Sequence, residues 1–129
     1  MEISGGKMSN RNFVEFFSEG TVRPIPEYKR WRLREELAKE LSAARQEAGL
    51  ATLHALARAA RVSINTIGAL ESVRRTKDYV TVLSLHRIAA ALSRSLDIKV
   101  EGVEKYFPPD TSVETLFEVG ANISFTREG

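Results

Sequence analysis

Residues Leu53–Arg75 read LHALARAARVSINTIGALESVRR, and their spacing decides the fold. Leu53, Leu56, Ala57 and Ala60 recur at intervals of three and four, the period of one helix face. Thr52 stands just before them, where a hydroxyl can cap free backbone N–H groups. Val62 interrupts the period, Ser63 offers a second N-cap, and Ile64, Ile67 and Leu70 open a second helical set. Only about two residues can lie between the helices, so they must cross steeply with a small residue at their contact. Ala57 opposite Ile67 fits that need. Two helices joined in this way form a helix-turn-helix.

Upstream, the spacing predicts a helix from Pro26 to Ala48. Pro26 suits a first turn, where its missing N–H is no loss. Leu33, Leu37, Leu41, Ala44 and Ala48 make its apolar stripe, and Gly49 ends it in a C-terminal cap. Tyr28 and Trp31 lie off that stripe. Downstream, a helix begins near Tyr79 or Thr81, and Val82, Leu85, Ile88, Ala89 and Leu92 give it a face that closes the core. The period then changes. Leu96, Ile98 and Val100 alternate with Asp97, Lys99 and Glu101, which is strand spacing. Val113–Val119 and Ile123–Thr126 flank Gly120-Ala121-Asn122 and read as a hairpin. An amphipathic helix over Thr111–Val119 is the alternative, because Pro108, Pro109 and Asp110-Thr111-Ser112 offer a helix start.

With these residues in hand, the segment from about Leu37 to Leu92 resembles the lambda repressor-like (Xre/Cro) family of DNA-binding domains. The resemblance rests on Leu41 and Arg45 before Gly49-Leu50, and on Leu56-Ala57, Val62-Ser63, Ile67 and Leu70. It continues in Glu71 and in the run Leu85, Ile88, Ala89, Leu92. The chain departs from the family at Arg61, where Gly is usual, and in an interval from Gly49 to Ala57 that is one residue longer. The resemblance implies an ion pair between Arg45 and Glu71 that ties the first helix to the recognition helix. A strand directly after the helical part also resembles some helix-turn-helix antitoxins, in which two subunits pair such strands across a dimer axis.

Composition bounds the function. The 129 residues hold 43% hydrophobic side chains, enough for a core, and no Cys. That excludes disulfides and thiolate metal sites and fits a reducing cytoplasm. His54 and His86 are too few and too far apart for a His-rich metal site, so no metal and no cofactor is expected. No apolar run approaches the roughly 20 residues of a membrane span. The N-terminus, MEISGGKMSN, lacks a hydrophobic signal core. Gly-rich phosphate loops, G-x-S-x-G and H-E-x-x-H are absent from the sequence, so no enzyme is expected.

Charge is uneven along the chain. Residues 27–77 hold eleven Lys/Arg against six Asp/Glu, while residues 97–129 hold three against seven. The basic part coincides with the helix pair, which suits phosphate neutralisation on double-stranded DNA; ordinary helix-surface charge is the bland alternative.

These readings combine into a mainly α fold, a lambda repressor-like bundle with a small C-terminal β element. Three regions are expected: an N-terminal extension over 1–26 with the aromatic patch Phe13, Val14, Phe16 and Phe17; a DNA-binding domain over 27–95; and a β-rich dimerisation or partner-binding region over 96–129. If the second helix of the pair enters the major groove, Ser63, Ile64, Asn65, Thr66 and Ala69 face base edges. Thr52, Arg74, Arg75 and Lys77 are the candidates for phosphate, with Leu96, Ile98 and Val100 as the strand joining a homodimer. The expected function is a dimeric repressor on a palindromic operator. The alternative is an antitoxin-type protein that sequesters a toxin and represses its own operon.

Overall fold

A computed structural model describes residues 24–127. The aromatic patch Phe13–Phe17 lies outside the described residues. Helices dominate, and a small antiparallel sheet closes the C-terminal end. The order is α1 (Glu27–Glu47), α2 (Leu53–Ala60), α3 (Ile64–Glu71), α4 (Val82–Ala91), β1 (Arg94–Val100), β2 (Val103–Glu104), α5 (Val113–Glu118) and β3 (Ala121–Arg127). No helix among the described residues is long and apolar enough to cross a membrane.

Capping explains the helix starts. Thr52 Oγ1 accepts from Ala55 N–H at 3.1 Å, and Ser63 Oγ accepts from Thr66 N–H at 3.1 Å. Three residues, Arg61–Ser63, join α2 to α3. Val62 N–H reaches back to the Ala57 carbonyl and Arg61 N–H to that of Arg58, the bonding of a Schellman turn. Such a turn needs a left-handed residue at its first position, and Arg61 takes it at φ 61°. An L-residue bears roughly 1–2 kcal/mol there, where Gly would bear none.

α1 buries a stripe rotated from the expected one. Arg34, Leu37, Ala38, Leu41, Ala44 and Arg45 face inward, whereas Leu33 is half-buried and Ala48 is exposed. The two arginines, not two aliphatic residues, end the buried face.

The hairpin expected over Val113–Thr126 is corrected. Val113–Glu118 is a helix, and Ser112 starts it by accepting Thr115 N–H at 3.2 Å. Val113 through Phe117 are all buried, the polar Glu114 and Thr115 together with the apolar Val113, Leu116 and Phe117, which stand at helical intervals. β3 pairs instead with β1, antiparallel from Arg94↔Arg127 to Val100↔Ala121, and β2 adds only Lys99↔Glu104 and Val100↔Val103.

One hydrophobic core runs through the whole. Leu41, Leu56, Ile67, Leu85 and Ile88 from the helices join Val113, Leu116, Phe117 and Phe125 from the C-terminal third. Residues after Ser95 are therefore core, not only appendage. Full burial of one such side chain stabilises by about 1.5–3 kcal/mol.

Candidate nucleic-acid interface

The N-terminus of α3 presents part of the expected set to solvent. Ser63 and Asn65 are exposed, Ala69 is half-buried, and Ile64 is half-buried with its side chain against the core. Thr66 is corrected. It is only 3% exposed, and its hydroxyl lies 3.1 Å from Ser63 Oγ. Next to the fully buried Ile67, it faces inward and cannot offer its hydroxyl to a base. Gly68 needs neither its freedom nor its small size inside the molecule. Its φ is ordinary, and an added Cβ would meet nothing within 4 Å.

Arg45 and Glu71 meet in a two-pronged ion pair. Nε donates to Oε2 at 2.9 Å and Nη2 to Oε1 at 3.2 Å, while Nη1 donates to the Leu50 carbonyl at 3.0 Å. The pair ties α1 to the last residue of α3, and each side chain keeps 9% of its exposure.

Past α3, Ser72 donates to the Gly68 carbonyl, and Arg74 Nε donates to Ser72 Oγ at 3.2 Å. Arg74, Arg75 and Lys77 are exposed. Thr76, between them, is buried. Val73 sits at φ 53°, a left-handed position that a β-branched residue rarely takes.

Arg30, Arg34, Arg45, Arg94 and Arg127 all join carboxylates in ion pairs. Arg58, Arg61, Arg74, Arg75 and Lys77 make none within 4.0 Å among the described residues. From Thr52 to Lys77 the single acid is Glu71, which is engaged by Arg45. Lys29, Arg32, Lys39, Arg87 and Lys99 make none either, so what sets the stretch from Thr52 to Lys77 apart is that its five cations, on α2, on the turn and in the loop after α3, have no free acid among them.

A second buried cluster was not foreseen. Arg34 Nη2 donates to Glu114 Oε1 at 2.7 Å and Nε to Oε2 at 3.3 Å, while Nη1 donates to Glu27 Oε2 at 2.9 Å. The guanidinium also lies over the Phe117 ring, 5.7 Å from its centre. Glu114 Oε2 accepts from Thr76 N–H at 2.8 Å and from Thr76 Oγ1 at 3.3 Å. Burial pushes the Glu114 carboxyl up, but the bonds from Arg34 and Thr76 outweigh it and hold the group below its ordinary value of 4.5. The arginine hydrogen bond likewise holds the Glu27 carboxyl down. The one signal in the sequence was position: Arg34 stands three residues before Leu37 and seven before Leu41, on the buried face.

The expected dimer strand is engaged within the chain. Leu96, Ile98 and Val100 pair with Phe125, Ile123 and Ala121. Phe125 N–H turns away from β1 and donates to Glu40 Oε2 at 2.6 Å, so a carboxylate from α1 guards the outer edge of β3. By ladder alternation, the backbone of its partner Leu96 faces the opposite edge of β1, as does the Ile98 carbonyl that accepts Lys105 N–H at 3.0 Å. β2 pairs only with Lys99 and Val100 on that edge.

Groups of His, Asp and Glu able to hold a metal are absent among the described residues. No family model, curated protein or solved structure matches this chain.

Proposed function

We propose that this chain is a sequence-specific DNA-binding regulator of the lambda repressor-like kind, with α2 and α3 as its helix-turn-helix. The observation that carries the reading is the exposed start of α3, flanked in sequence by Arg58 and Arg61 before it and by exposed Arg74, Arg75 and Lys77 after it, with no free acid from Thr52 to Lys77. Asn65 reads a base edge through its amide, Ser63 adds a hydroxyl, and Ile64 and Ala69 offer methyl groups to thymine. Thr52, Arg74, Arg75 and Lys77 meet phosphates. Selection of bound duplexes from a random pool, followed by titration at several salt concentrations, tests this. An enriched two-fold site is expected. Replacing any one of Arg74, Arg75 or Lys77 by Ala should lower the salt slope by about one on all duplexes alike. No enrichment and unchanged slopes would remove the reading.

A palindromic site requires a dimer, since half-sites lie about 34–36 Å apart. The free stretch of β1 at Leu96 is the strand edge that a second copy would extend across a two-fold axis. Leu96→Pro removes an N–H that points away from β3, together with a side chain packed on the core, so it should give monomers in sedimentation, with circular dichroism checking that the fold is kept. A dimer that persists would move the interface elsewhere.

A second reading is favoured by aromatic exposure. Tyr28, Trp31 and Tyr106 remain open to solvent at 66%, 47% and 78%. They suit an antitoxin-type protein that also holds a protein partner. A one-to-one complex with the product of a neighbouring gene, weakened by Trp31→Ala, would support it.

A further inference from the structure

The loop between α3 and α4 is held from behind by the C-terminal third. Three cations, Arg74, Arg75 and Lys77, point outward from it, and Thr76 alone among these four positions is buried, at 8% exposure. Its N–H and hydroxyl both end on one oxygen of Glu114, and Arg34 orients that carboxylate from the other side. The same lead into α5 holds the far end of the loop: Val113 N–H donates to the Val80 carbonyl and Val82 N–H to that of Thr111, both at 2.9 Å. Val73 sits strained at the near end. A strained residue persists only where its surroundings enforce it.

We propose that Glu114 is a positioning residue for phosphate contact, holding the Val73–Lys77 loop in the shape that presents Arg74, Arg75 and Lys77 to a nucleic-acid backbone. The inference rests on the DNA-binding reading above. Arginine and lysine lose affinity when their backbone must be ordered on binding, and a loop already fixed avoids that loss. Glu114 touches no ligand itself. It acts through Thr76, and its own position is set by the core through Leu116 and Phe117. The C-terminal third thereby belongs to the binding surface of the helical part.

The test uses the whole chain and a random-sequence 30-base-pair duplex, because phosphate contact does not depend on sequence. Two variants are compared with the parent: Glu114→Gln, and the double variant Arg34→Met/Glu114→Leu. The double variant removes the anchor without leaving a buried charge, and urea unfolding checks that it folds. Amide hydrogen exchange across 73–77 should quicken in both by at least roughly tenfold, with the rest of the chain protected. Affinity for the duplex should fall roughly three- to tenfold, and the salt slope should drop by about one, the signature of a lost phosphate contact. A role confined to stability would leave the slope of the folded protein unchanged. The proposal is overturned if the double variant folds and binds the duplex with parental affinity and slope. It is also overturned if exchange at 73–77 stays slow. If the parent chain fails to bind any duplex, the DNA reading itself falls, and with it the phosphate role; the exchange result then still shows whether Glu114 clamps the loop.

Discussion

The two ends of the buried face of α1 each carry an arginine that forks onto a glutamate from another element, and the surroundings of the two pairs differ. Arg45 meets Glu71 and one backbone carbonyl, and the pair joins α1 to α3. Arg34 meets two glutamates and an aromatic face, and Glu114 in turn grips the Thr76 backbone. The first pair fixes the angle of one helix. The second ties three segments that are far apart in sequence, one of them an exposed loop. A helix can hold its own shape once docked, because its backbone bonds are internal. A loop has no such reserve and must borrow its hydrogen-bond partners from elsewhere. The deeper pair is found where the local backbone is least able to support itself.

Breaking the deeper pair should have the largest effect. Glu114→Ala leaves Arg34 buried with only the exposed Glu27 and leaves Thr76 N–H without its acceptor. The expected loss is about 3–5 kcal/mol in urea unfolding. Acid should reach the same pair. Glu114 is held below its ordinary 4.5, so the unfolded chain takes up that proton more readily than the folded one. Its contribution is full above pH 4.5 and declines as the pH falls through the lower folded value. Glu114→Gln should flatten the acid side of the stability profile. An unchanged profile would mean that the charge at 114 does not matter.

Next comes Glu71→Ala. It leaves Arg45 with the Leu50 carbonyl and some solvent access, so a smaller loss of about 2–3 kcal/mol is expected. Stability should fall while the order of preferred DNA sites stays the same. A changed preference at parental stability would place Glu71 in the interface and end the parallel between the two pairs.

The contrast also governs what could be read from the sequence. α1, α2, α3 and α4 each keep a wet face, and the alternation of wet and dry at intervals of three and four is legible. The Arg45–Glu71 pair was reached through a family resemblance that runs through those helices. The hairpin reading of Val113–Thr126 rests on the turn signal Gly120-Ala121-Asn122, and the alternative, a helix over Thr111–Val119, is the one the structure shows. Val113, Leu116 and Phe117 already stand at helical intervals, but the burial of Glu114 and Thr115 beside them is not legible. The polar positions of such a helix suggest a wet face that it does not have. The burial of Thr66 is illegible for a related reason. Its polarity suggested the surface, but its hydroxyl is satisfied by Ser63 and its position lies toward the core. Polar groups whose partners lie dozens of residues away leave no local trace.

A third, smaller effect separates residues with internal duties from those without. Asn65 is exposed, and its side chain holds no hydrogen bond among the described residues. Asn65→Ala should therefore leave thermal stability within about 0.5 kcal/mol. It should weaken the selected duplex by about 1–3 kcal/mol and spare random DNA. Equal losses on both duplexes would return Asn65 to ordinary surface.

Gly68 gives the finest version of this contrast. A glycine inside a helix destabilises it by about 0.5–1 kcal/mol relative to alanine, because its unfolded backbone is freer. Proteins keep such a residue where a left-handed angle or a close neighbour demands it. Neither applies here: φ is ordinary, and the space a Cβ would occupy is empty. Nothing within the fold accounts for glycine at this position. A duplex pressed against α3 would, since the groove wall could then approach the bare backbone beside Ala69. Gly68→Ala should accordingly raise stability by about 0.5–1 kcal/mol while lowering affinity for DNA. The opposite signs are the point of the measurement, because a purely structural glycine cannot produce them. If the variant is more stable and binds its duplex as tightly as the parent, the groove does not come close at position 68, and α3 must meet DNA by its first turn alone.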